Sequence, residues 1–248
     1  LSELLAVDLF CGLGGWTEGF QAEGFRMIGF DVTRHVDADG RGYPGQLVLQ
    51  DVLTIHGSQF RNAAGIVASP PCTEPSYRAM PWKRAKALND AGPPVKFIEL
   101  FDACFRIQRE ASEAAGRSIP LIVENVRGAQ QWVGKAVWHF GSYYLWGDVP
   151  ALMPVAIKIG VKASGQDWNR YKETGEVSKH WGLAGIKQTG IPGERWFNEG
   201  AASFGSKSNQ RKLAAAMIAK IPFPLAQHIA QYFRQNYEAE NRSLCIPV

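Results

Sequence analysis

Short apolar runs alternate with helical patterns through the first half of the chain, and each run ends in residues able to do chemistry. Leu4 to Phe10 empties into the Gly-rich turn Cys11-Gly12-Leu13-Gly14-Gly15. Ile28-Gly29-Phe30-Asp31 ends in a carboxylate, and Leu47-Val48-Leu49 runs into Gln50-Asp51. Gly65 to Ser69 is followed by Pro70-Pro71-Cys72, and Ile119 to Val123 by Glu124-Asn125-Val126. Between the last two runs, Pro93-Pro94 opens a helix that carries Phe97, Ile98, Phe101, Cys104 and Phe105 on one stripe and is closed by Gly116. This alternation predicts an α/β fold built on a parallel, doubly wound sheet. Ligands of such sheets bind at the carboxyl edge. A nucleotide-type loop, a thiol and a carboxyl are therefore expected at one place.

The texture changes after about residue 127. From Trp132 to Phe204 the chain is rich in Trp, Tyr, Gly and Lys, without a clear helical stripe. Helical patterns resume over Arg211–Lys220 and Pro224–Tyr237, the second with Leu225, Ile229, Ala230 and Phe233 on one face. The reading is a main domain over 1–137, a small irregular module over 138–212, and C-terminal helices over 213–248 that return to the main domain. A chain of 248 residues accommodates this. No apolar run approaches the ~18 residues of a membrane span, and no signal peptide precedes the first strand. The four cysteines are widely spaced, and no Cys/His cluster suggests a metal, which fits a reducing cytosol.

Each candidate has a plain alternative. Gly12-Leu13-Gly14 begins like a dinucleotide fingerprint, but Thr17 stands where its third Gly belongs. The turn still brings backbone N–H groups to a ligand, or it is only a tight turn. Asp31 and Asp51 can accept from ribose or adenine, or cap the segments that follow. Phe10 is core or a face for a base to stack on. Cys72 is a small buried hydrophobe or, beside the cationic Arg78, Lys83, Arg84 and Lys86, an activated nucleophile. Glu124 pairs with Arg127, or acts as a proton donor in a closed pocket. Cys104 is structural, and Cys11 packs rather than reacts. The five histidines make no metal or catalytic spacing.

Five elements occur in order: Asp8-Leu9-Phe10-Cys11-Gly12-Leu13-Gly14-Gly15, Gly29-Phe30-Asp31, Asp51-Val52, Pro71-Cys72 and Glu124-Asn125-Val126. Together they resemble the DNA (cytosine-5)-methyltransferase family. The resemblance implies a class I, S-adenosyl-L-methionine-dependent methyltransferase fold, Rossmann-like, with a small target-recognition module. It implies S-adenosyl-L-methionine as cofactor, held by Phe10, Gly12, Leu13, Gly14, Gly15, Asp31, Val32, Asp51 and Val52. Catalysis falls to Pro71, Cys72, Glu124 and Asn125, and substrate contacts to Ser69, Thr73, Arg78, Lys172 and Arg195. Double-stranded DNA is the expected partner, with base flipping, no membrane and a monomeric state. The expected location is the cytoplasm of a bacterial or bacteriophage-infected cell. The sequence departs from the family in three places. Thr73 follows Cys72 where Gln is usual. The Gln-x-Arg-x-Arg motif is absent, with Lys158 and Lys162 as stand-in candidates. Ala219-Lys220-Ile221 replaces the Gly-Asn-Ser that opens the last motif. The same chemistry on RNA or with a modified cofactor or base, and a silent DNA-binding relative, are the alternatives.

Residues 73–95 begin at the thiol and are read as a lid. The module over 138–212 holds ten Lys and Arg against six Asp and Glu, interleaved with aromatic residues, a composition suited to phosphate and base contacts. Within it, Arg195 is the expected base reader and Lys172 the expected phosphate contact, while Trp146 and Trp196 are expected in a core.

Overall fold

The computed structural model describes residues 3–37, 39–72, 87, 90, 92, 94–153, 216 and 219–244. The chain divides into two compact units: Leu1–Arg34 with Tyr43–Pro154 and Ile221–Val248, and His35–Gly42 with Val155–Lys220. In the first unit lie strands β1 (Leu4–Leu9), β2 (Phe25–Asp31), β3 (Gln46–Leu49), β4 (Gly65–Ala68), β5 (Leu121–Asn125), β6 (Trp138–Phe140) and β7 (Tyr143–Gly147). Its helices are α1 (Gly15–Ala22), α2 (Val95–Ala115), α3 (Gln130–Val133) and α4 (Phe223–Leu244). The strands form one sheet of order β3-β2-β1-β4-β5-β7-β6. β1 to β5 are parallel, and β7 runs antiparallel to both β5 and β6. This is the expected Rossmann-like, doubly wound α/β fold.

Helices cover both faces of the sheet. On one, α2 presents Phe97, Phe101, Cys104, Ile107 and Ala111 to Val7, Leu9, Ile66, Ala68, Leu121 and Val123. Gly116, in the left-handed region at φ 64, ends α2 where the sequence places its stop. On the other face, α1 and α4 pack together so closely that a Cβ on Gly19 would stand 2.5 Å from the Ala226 Cβ and the Gln227 backbone nitrogen. Phe20 lies edge-on to Phe25 and Phe233 at 5.1 and 5.5 Å. The stripe Leu225, Ile229, Ala230 and Phe233 is fully buried, as its spacing predicts.

Several element boundaries differ from the sequence reading, three of them for an identifiable reason. β1 stops at Leu9, because Phe10 adopts a left-handed conformation at φ 58. β5 starts after Pro120, which has no N–H for the ladder, and extends to Asn125, because β7 pairs Leu145 with Glu124 and Tyr144 with Asn125. Trp138–Gly147, assigned above to the irregular module, form β6 and β7 of the main sheet. Trp146 is buried in the core as expected. The 73–95 segment falls mostly, and 155–212 wholly, outside the described residues.

Gly19→Ala is expected to lower stability by about 1–3 kcal/mol, since the opposing atoms are backbone and a rigid Cβ. Urea denaturation reads this directly, and an unchanged midpoint would mean that α1 and α4 separate at no cost.

Candidate active site at the carboxyl edge of the sheet

β1 delivers the Gly-rich turn. With Phe10 and Gly12 both left-handed (φ 58 and 51), the chain reverses sharply, and Gly14, also left-handed at φ 76, precedes the first residue of α1. The turn is tied to the end of β2. Cys11 N–H donates to the Phe30 carbonyl at 3.1 Å, and Gly12 N–H to Asp31 Oδ2 at 3.0 Å. The other Asp31 oxygen accepts from Thr33 N–H at 3.0 Å. Asp31 therefore links the turn to its own strand end, which is both a structural role and a position beside any ligand of the turn. Nothing lies within 4 Å of where a Gly12 Cβ would project, so there is open space at the turn. Left-handed glycines, open space and a strand-end carboxylate suit a nucleotide-like ligand.

The remaining cofactor candidates divide. Leu13 and Gly15 are buried. Val32 is 68 % exposed just past Asp31. Asp51 is exposed and caps a short 3₁₀ turn, Val52–Thr54, by accepting from Leu53 N–H at 3.0 Å. Val52 is 1 % exposed and packs in the α2-side core. Phe10 is half-buried against that same core.

Beneath the turn lies a buried polar cluster that sequence reasoning missed. Asp8 is fully buried, and Thr17 donates to its Oδ2 at 3.0 Å. Thr17 also meets the Tyr43 hydroxyl. Asp8 Oδ1 is buried with no hydrogen-bond partner among the described residues. Burial pushes the Asp8 carboxyl up to about 8, a rise that Asp31 adds to and that Thr17 and Tyr43 oppose. The Cys11 thiol and the Tyr43 phenol are driven upward, by burial first and then by the charge of Asp8. Cys11 is thus the packing residue expected, as is Cys104, whose thiol is raised by burial and donates to the Leu100 carbonyl. The only sequence signal for the cluster was Thr17 in a glycine's place.

β4 and β5 deliver the second half of the site. Their register sets Ala68 beside Val123. Beyond it the chains are held together by Asn125, which is 1 % exposed. Its Nδ2 donates to the Pro70 carbonyl at 2.8 Å, and its Oδ1 accepts from Val126 N–H at 2.9 Å. Pro71 is exposed and Cys72 half-buried, two residues beyond the held carbonyl. Glu124 is 9 % exposed, and with burial its charge raises the nearby Tyr143 phenol. Ser69 Oγ accepts from the Trp16 indole N–H at 3.0 Å, joining β4 to α1. Asn125 thus ties the chain two residues before Cys72 to the end of β5, where Glu124 precedes it, and β4 lies beside β1, which delivers the Gly-rich turn. Thr73, Arg78, Lys158, Lys162, Lys172 and Arg195 lie outside the described residues. Among the described residues no group of acidic, His and Cys side chains could hold a metal, and no helix is long and apolar enough to cross a membrane.

The Asp8 carboxyl yields a sign-definite prediction. Its folded-state pKa is raised, so its contribution is full below the unfolded value near 4 and is lost as pH climbs toward about 8. The loss runs at up to about 1.4 kcal/mol per pH unit. Asp8→Asn should remove that slope, giving a variant whose urea midpoint falls less than the parent's between pH 5 and pH 8. Parallel pH profiles for the two proteins would contradict a buried, proton-holding Asp8.

No protein-family model matches the chain, and no curated protein matches it. Solved structures do. A prophage-encoded protein of E. coli, described as a DNA modification methyltransferase, aligns with 52 % of this chain at 20 % identity and a TM-score of 0.32. The methyltransferase EhMeth of Entamoeba histolytica aligns with 54 % at 15 % identity and a TM-score of 0.34. The chain covers 33 % and 41 % of those two proteins. The Dnmt2 methyltransferase of S. pombe aligns with 94 % of this chain, and 99 % of its own length is covered, at 11 % identity and a TM-score of 0.44. The fold assignment rests on the strand order and helix layers.

Proposed function

We propose that the protein is an S-adenosylmethionine-dependent nucleic-acid methyltransferase that modifies C5 of cytosine in DNA. The observation that carries the reading is the Asn125–Pro70 hydrogen bond. It fastens the exit of β4, two residues before Cys72, to the end of β5 beside Glu124, which supports reading as one site a thiol and a carboxyl that lie 52 positions apart in sequence.

C5 of cytosine is too weak a nucleophile to accept a methyl group unaided. Attack by the Cys72 thiolate on C6 makes C5 enamine-like, while Glu124 protonates or hydrogen-bonds N3 and takes up the developing charge. Asn125 acts through the backbone, fixing where the thiol stands. S-adenosylmethionine, when bound, supplies the methyl group as an electrophilic sulfonium. Phe10, the glycines of the turn and Asp31 are the residues that would hold it. Loss of the C5 proton to a base and departure of Cys72 from C6 then restore the aromatic ring. The target atom is buried in a duplex, so the base is flipped out at a cost of a few kcal/mol. The basic, aromatic-rich 155–212 segment is the proposed recognition region, with Lys172 on phosphate and Arg195 on a base edge. Thr73 and Arg78 are proposed to contact substrate as part of a lid.

Cys72→Ser is expected to lose turnover on cytosine-containing DNA by several orders of magnitude while keeping its affinity for S-adenosylmethionine. The parent should form a denaturant-stable adduct with duplexes carrying 5-fluorocytosine, because fluorine blocks the final elimination. Tritium transfer from labelled cofactor to DNA, tRNA and free nucleotide, followed by gel analysis of the adduct, decides the matter. Parent-like turnover by the Ser variant would remove Cys72 as nucleophile, and labelling of tRNA alone would move the substrate to RNA.

Asp31→Ala should weaken S-adenosylmethionine binding at least tenfold in calorimetric titration without changing DNA affinity. Undiminished cofactor affinity would place the pocket elsewhere.

A further inference from the structure

One group of rings on the outermost strand has no part in the chemistry above. Among the described residues β6 forms the edge of the sheet. Across the ladder His139 pairs with Tyr144, and Tyr144 with Asn125, so the two rings belong to the row that ends at the amide holding Pro70. The His139 and Tyr144 rings are stacked, 5.0 Å between centroids and 18° between planes, and the ring of the preceding Trp138, whose ladder partner is Leu145, lies 6.4 Å from His139 at 25°. The imidazole is held in place, its Nδ1 lying 3.1 Å from the Gly141 carbonyl. With Nδ1 donating there, Nε2 of the neutral ring is an acceptor.

Packing accounts for Tyr144, which is half-buried against the core. It does not account for His139, which is exposed, or for Trp138, which keeps 43 % of its surface in water. Two exposed cations, Arg127 and Lys135, lie between β5 and β6 in sequence, and the nearest acids along the chain are the buried Glu124 and, past the far end of β7, Asp148. β6 lies two strand spacings, about 10 Å, from the strand of Glu124 and Asn125. Stacked, partly exposed rings with cations close by in the chain are features with which proteins hold unpaired nucleotides. The rings take the base by its π-face, and the cations take the phosphates.

We propose that Trp138 and His139 form a stacking face for an unpaired nucleobase flanking the target nucleotide, with Lys135 and Arg127 serving the adjoining phosphates. The proposal rests on the nucleic-acid reading above and adds to it a second point of attachment. A stacked flanking base would hold the strand open after the target base has left the helix. Because every base has a π-face, this contact would be tolerant of sequence.

The test uses the full chain and two fluorescein-labelled 14-nucleotide DNA strands, one complete and one abasic through its central four positions. In anisotropy titrations the parent should bind the complete strand about 5- to 100-fold more tightly than the abasic one. Trp138→Ala and His139→Ala should each narrow that gap and leave affinity for the abasic strand nearly unchanged. Lys135→Ala should instead weaken both strands alike. Thermal melts establish that the variants are folded, and His139→Ala, at an exposed position, keeps the test valid if Trp138→Ala melts early. A gap that survives both substitutions overturns the stacking face. Variants that keep the gap but dissociate a dimeric parent in sedimentation assign the rings to a second copy of the chain and likewise overturn it. Failure of the parent to bind single-stranded or duplex DNA overturns the nucleic-acid reading itself, and this proposal with it.

Discussion

The candidate site depends on one buried amide. Pro70 and Pro71 remove two backbone donors just where the chain leaves β4, so the ladder that fixes the strand cannot fix its exit. Asn125 replaces the missing bonds, giving its side-chain N–H to the Pro70 carbonyl and using its oxygen to hold the start of its own exit turn. A side chain that is almost wholly buried and satisfied at both ends is costly to displace. The two strand ends therefore behave as one rigid corner, and a thiol two residues from the held carbonyl inherits that rigidity.

Two of the sheet's carboxyls, Asp8 and Glu124, are buried at different depths. Asp8 pairs in register with Val67, and Val67 with Ile122, while Glu124 stands one alternation further along β5. Both acids therefore project from the same face of the sheet. Asp8 is sealed under the turn, with Thr17 and Tyr43 as neighbours, and is raised into the neutral range by burial. Glu124, 9 % exposed, stands near the carboxyl end of β5, where β7 closes one flank. Register alone thus sets two acids on one face of the sheet at different distances from its rim.

Much of this was legible in the sequence because local rules and tertiary context agree there. The parallel sheet, the α2 stop at Gly116 and the buried stripe of α4 all follow from spacing and turn chemistry. The readings that failed did so where the deciding partner is remote. Nothing in Leu4 to Phe10 announces that Phe10 turns left-handed; the cause is the turn it enters and the Cys11–Phe30 bond beyond. Trp138 to Gly147 looked irregular because two strands of three and five residues are too short to show a period. Their partner, β5, comes before them in the chain but could not be identified as such from composition. The resemblance assigns Asn125 to catalysis, but its partner, the Pro70 carbonyl 55 positions away, is set by the fold and leaves no local signal.

The ring of Tyr43 occupies the space that side chains would fill at three separate places. Cβ atoms on Gly29 and Gly45 would lie 2.4 and 2.9 Å from it, and one on Gly14 would meet it at 3.1 Å and Pro44 at 2.4 Å. Those glycines come from a helix entry, a strand and a loop. At position 29 the Cys11 Sγ, 2.7 Å from a Cβ, joins the ring in barring a side chain, and at 45 the Met27 carbonyl oxygen stands at 2.8 Å beside it. One aromatic ring thus sets a ceiling on bulk at three points of the sequence, and trimming it would relieve only part of the crowding at each.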